Sequence, residues 1–71
     1  MKQINQQDKV NIENRLNVNY GVICKKHNFV KDNEVKALLV NRIMNNLDTL
    51  GSDINQLLVE LENMFLEHYN M

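Results

Sequence analysis

Between Val35 and Leu50 the apolar positions recur at helical spacing. Val35, Leu38, Leu39, Ile43, Leu47 and Leu50 fall on one stripe at about 100° per residue, and Ala37, Val40 and Met44 widen it past half the circumference. Asn41, Asn45 and Asp48 keep a narrow polar arc. A helix with a single core contact needs a stripe only a little wider than about 100°. The wider arc therefore predicts a central helix over 33–50, covered from two sides.

The segment after Gly51 has the cleanest amphipathic pattern. Ile54, Leu57, Leu58, Leu61, Met64, Phe65 and His68 share a face, while Asp53, Glu60, Glu62 and Glu67 lie off it, which predicts a helix over 53–69. Gly51 supplies the stop between the two helices, and Ser52 or Asp53 the N-cap that restarts the chain. So short a connection predicts that the two helices run antiparallel as a hairpin.

The first half reads in two ways. As a helix over 9–27, capped by Asp8, it places Ile12, Leu16, Tyr20 and Ile23 on one stripe. As a strand, Leu16, Val18, Tyr20 and Val22 alternate with Arg15, Asn17, Asn19 and Gly21. The longer periodicity favours the helix. Asn28 tolerates the left-handed geometry that ends a helix, Asp32 or Asn33 can cap the next one, and Phe29 and Val30 are expected to tuck beneath the turn. Residues 1–7 read as a flexible lead-in and 8–71 as a single small domain. The expected fold is all-α, a small three-helix domain with a C-terminal antiparallel helical hairpin; an N-terminal β-ribbon followed by helices is the alternative.

Length sharpens that expectation. A chain of 71 residues buries roughly 60% of the surface it exposes unfolded, so its margin of stability is thin. With the single cysteine Cys24 it cannot form an intrachain disulfide, which leaves self-association as the accessible source of extra burial and fits a reducing, cytoplasmic setting. No apolar run is long enough for a membrane span, and no basic-then-apolar leader is present. Val59 and Leu66 sit seven apart on the far side of the last helix, where they could form the edge of a subunit contact.

Charge is unevenly distributed. Lys2, Lys9, Arg15, Lys25, Lys26 and Lys31 against Asp8 and Glu13 give residues 1–31 a net +4, while residues 32–71 carry −5. The halves either attract one another within the fold or turn a basic surface toward an anionic partner; the first is the simpler reading. Glu60 and Glu67, with Glu62 on another flank, read as a solvated acidic face, or as a docking surface for a basic partner.

Catalytic chemistry has little to work with. Ser52 and Thr49 are the only serine and threonine and flank a turn, and two glycines cannot build a phosphate-cradling loop. Cys24 and His27, three apart, with His68 more distant, have ligand-compatible spacing, but a buried cysteine beside a half-exposed histidine explains them without a metal. No enzyme, cofactor or metal is expected.

For nucleic acid there are two routes, drawing on Arg15, Asn17, Asn19, Lys25, Lys26 and Lys31. As a strand, Arg15, Asn17 and Asn19 point to one side and could enter a major groove from a dimeric ribbon. That stretch resembles the ribbon-helix-helix regulators over about six residues, although Tyr20 to Asn28 is shorter than the helix that family places between ribbon and turn. Alternatively, Ile23 to Ile43 reads as helix, turn, helix. The function expected first is a non-enzymatic protein-interaction or regulatory module acting through helix packing, homodimeric, with a protein partner or itself. A small dimeric DNA-binding regulator is the alternative.

Overall fold

The structure, a computed structural model, describes residues 6–69. Among the described residues four helices follow one another: α1 (Gln6–His27), α2 (Asn33–Asn45), the single turn α3 (Leu47–Leu50) and α4 (Ile54–His68). The chain is all-α, with no strand among the described residues, so the ribbon alternative is overturned: Arg15 to Tyr20 lies inside α1. The asparagines that weaken this helix in isolation are outweighed by its buried stripe of Ile12, Leu16, Tyr20, Ile23 and Cys24.

The helix ends follow local chemistry. Asn28 closes α1 in the left-handed region at φ 61°. There the Phe29 N–H donates to the Cys24 carbonyl at 2.8 Å and the Asn28 N–H to that of Lys25 at 3.4 Å, the paired bonds of a Schellman cap. Asp32 caps α2 by accepting from the Glu34 and Val35 N–H groups at 2.9 and 3.4 Å. Asp53 does the same for α4, accepting from the Asn55 N–H at 3.0 Å. Asp8, expected as a cap, falls instead within the first turn of a helix that begins at Gln6, where its charge complements the helix dipole. Of the expected lead-in, residues 6 and 7 are helical, and 1–5 lie outside the described residues.

The central segment is not one continuous helix. Asn46 breaks it, with φ −116° and ψ 20°; its N–H donates to the Ile43 carbonyl at 3.0 Å and its side-chain amide to that of Arg42 at 2.6 Å. The side chain thus satisfies a carbonyl that the next helical turn would have taken. The apolar arc of α2 is also narrower than expected, since Ala37 and Leu38 are exposed while Leu39, Val40 and Ile43 are buried.

Helices α1, α2 and α4 each pack against the other two. Their shared core comprises Ile12, Leu16, Tyr20, Ile23 and Cys24 from α1, Leu39, Val40 and Ile43 from α2, Leu47 from α3, and Leu57, Leu61 and Phe65 from α4. Phe65 is the hub of one end, with its ring centroid 6.2 Å from that of Tyr20, 5.6 Å from His27, 5.3 Å from Phe29 and 4.9 Å from Tyr69. Phe29 therefore tucks in as expected. Val30 does not; it is 89% exposed, because the Schellman turn directs only Phe29 back against the helix end.

Candidate functional site

Glu62 is where the basic and acidic halves meet. Its Oε2 lies 2.9 Å from Lys26 Nζ and 2.9 Å from His27 Nε2, so the end of α1 is tied to the middle of α4. Hydrogen bonding from His27, and then from Lys26, holds the Glu62 carboxyl below the usual carboxylate range. This corrects the reading of Glu62 as part of a solvated acidic face; Lys26, although paired, keeps a side chain that is 63% exposed. The pattern along α4 shows only that Glu62 is off the apolar stripe; its partners lie more than thirty positions away in the chain.

Val59 is 53% exposed and Leu66 half-buried. At about 100° per residue they stand within about 20° of one another on the flank of α4 that also carries Glu62. Glu60, half-exposed, and Glu67, exposed, occupy the opposite flank. There Glu67 joins Arg42, Met64 and His68 around a shallow cleft of about 150 Å³ between α2 and α4. His68, expected on the buried face, is exposed at this rim, since the helix ends there.

The nucleic-acid candidates on α1 divide between its outer face, which keeps Arg15 and Lys25, and its flanks. Residues two apart in a helix diverge by about 200°, so Arg15, Asn17 and Asn19 cannot share one side as they would in a strand. Arg15, Lys25 and Lys31 are exposed, while Asn17 and Asn19 are half-buried on opposite flanks of α1. Lys31 reaches back over α1: a Cβ at Gly21 would stand 3.1 Å from its Cε and 3.2 Å from its Nζ, so the glycine leaves the space that the lysine crosses.

The three residues with ligand-compatible spacing are also dispersed. Cys24 is buried, His27 is held by Glu62, and His68 stands at the cleft rim. Among the described residues, no group of three or more His, Cys, Asp or Glu side chains is placed to hold a metal ion. No helix among them is long and apolar enough to cross a membrane. No protein-family model, curated protein or solved structure matches the chain.

Proposed function

We propose that the protein is a non-enzymatic interaction module that pairs with a second copy of itself through the α4 flank bearing Val59 and Leu66, with α2 and α4 forming an antiparallel hairpin behind that face. The observation that supports this reading is the placement of two aliphatic side chains, seven residues apart, outside a core that closes without them. Glu62, the acid on the same flank, is paired with Lys26 and hydrogen-bonded to His27, so a symmetric pairing does not set unpaired carboxylates against each other. Glu60 and Glu67, turned to the other flank, remain available to a basic partner, which makes the dimer a regulatory adaptor.

Sedimentation equilibrium tests it. The wild-type chain is expected at twice its monomer mass, and Val59→Asp at the monomer mass with unchanged helicity. A wild-type monomer throughout the concentration range, or a V59D variant that still dimerises, would remove this reading.

A further inference from the structure

The face of α1 that points away from the core has a composition of its own. Within about 60° of Val18, at 100° per residue, the described part of α1 carries no acidic residue. Its amides are Gln7, Asn11 and Asn14, its cations Arg15 and Lys25, and its apolar residues Val18 and Val22, which are 71% and 57% exposed. Lys31, laid over Gly21, adds a further ammonium at the edge of the same face. The acids of α1 lie outside it, Asp8 about 80° from Val18 at its edge and Glu13 about 140° away, while Glu62 is paired and Glu60 and Glu67 lie on α4. The chain's formal net charge of −1 thus conceals a strip of α1 whose charges are all positive.

We infer that this outer face of α1 binds double-stranded nucleic acid, with Arg15, Lys25 and Lys31 on phosphates and the amide row toward the base edges of the major groove. The amides line the N-terminal half of the face and the cations Arg15, Lys25 and Lys31 follow them toward its C-terminal end, so a helix laid with its first half in a groove sets amides against base edges and carries its cations toward a phosphate backbone. Asn and Gln side chains present the donor and acceptor pair that adenine offers in return, and a valine methyl suits the thymine methyl. Gln7 and Asn11 already share a hydrogen bond of 3.3 Å, which aligns the row. An acidic protein helix fits less well, because it would need a continuous apolar seam and the face offers only two valines. The first turn and a half of α1 helps geometrically: residues 6–11 are all exposed, ahead of the first core residue Ile12, so this part of the helix can enter a groove about 12 Å wide without the rest of the bundle, with Asp8 and Lys9 of that segment both outside the window of about 60°.

Fluorescence anisotropy of a labelled random-sequence duplex, titrated at salt concentrations from about 50 to 200 mM, tests the assignment. The wild-type protein is expected to bind, with affinity falling linearly on a log-log salt plot. The double variant Lys25→Gln/Lys31→Gln should lose about two from the magnitude of that slope, whereas Lys36→Gln on α2 leaves it unchanged. Circular dichroism confirms equal helicity, and the V59D variant should keep the wild-type slope per chain, which separates this surface from the self-association proposed above. Absence of binding at the lowest salt would overturn the inference, as would a K25Q/K31Q slope equal to wild type. Displacement of the duplex by polyglutamate at equal charge would also overturn it, by assigning the face to acidic proteins.

Discussion

The Tyr20 hydroxyl grips both backbone groups of Asp32, donating to its carbonyl at 3.2 Å and accepting from its N–H at 3.3 Å. Asp32 is in turn the N-cap of α2, so one buried hydroxyl of α1 fixes the point from which α2 departs. Removing it with Tyr20→Phe takes that partner from both groups, but Asp32 is exposed and its carbonyl still accepts from the Lys36 N–H at 2.9 Å, so the expected cost in denaturant unfolding is that of an ordinary hydrogen bond, about 0.5–1.5 kcal/mol. Burial, with a smaller contribution from the neighbouring Cys24, pushes the Tyr20 pKa well above the ordinary tyrosine range. Because the folded value is raised, stability is fully present below the ordinary value of about 10 and is lost as pH rises beyond it. In a Tyr69→Phe background, where Tyr20 is the sole tyrosine, tyrosinate absorbance should therefore appear only as the helices melt.

Glu62 has the opposite sign. Its pKa is lowered in the folded protein, so its contribution is present above the ordinary glutamate range and lost as pH falls through the lowered value. Lys26 is largely exposed, and the contribution should be modest, about 1 kcal/mol or less. Glu62→Gln is expected to flatten the acid limb of a stability-against-pH curve measured by urea unfolding, and to lower stability slightly near neutrality. An unchanged acid limb would show that the bridge contributes nothing in solution.

The two glycines should respond in opposite directions to alanine. Gly51 has φ 87° and ψ −172°, a region that is essentially glycine's own, although its surroundings are open. Gly51→Ala is expected to lower stability by about 1–3 kcal/mol through backbone strain alone. Gly21 lies inside a regular helix and is crowded only by the flexible end of Lys31. Gly21→Ala should raise stability by up to about 1 kcal/mol while displacing the lysine, and so weaken duplex binding. Thermal melts of the two variants check both signs.

The sequence by itself determined what depends on near neighbours. Asn28, Asp32, Gly51 and Asp53 mark helix boundaries because a cap is a contact across two to five residues, and the structure uses each of them at a helix end. The stripe from Ile12 to Ile23 outweighed its asparagines because burial on a three-sided core is worth more than intrinsic propensity. The interruption at Asn46 was masked by the same logic, since an apolar period continues through a residue whose amide takes a backbone carbonyl for itself. Only the tertiary structure decided which polar residues were spent inside the fold. Glu62 looked like its acidic neighbours until Lys26 and His27 came against it, and Lys31 joined the α1 face only because Gly21 leaves room for its side chain. Periodicity reports which side of a helix is apolar, but the partner that meets a charge on the other side is set by how the helices pack.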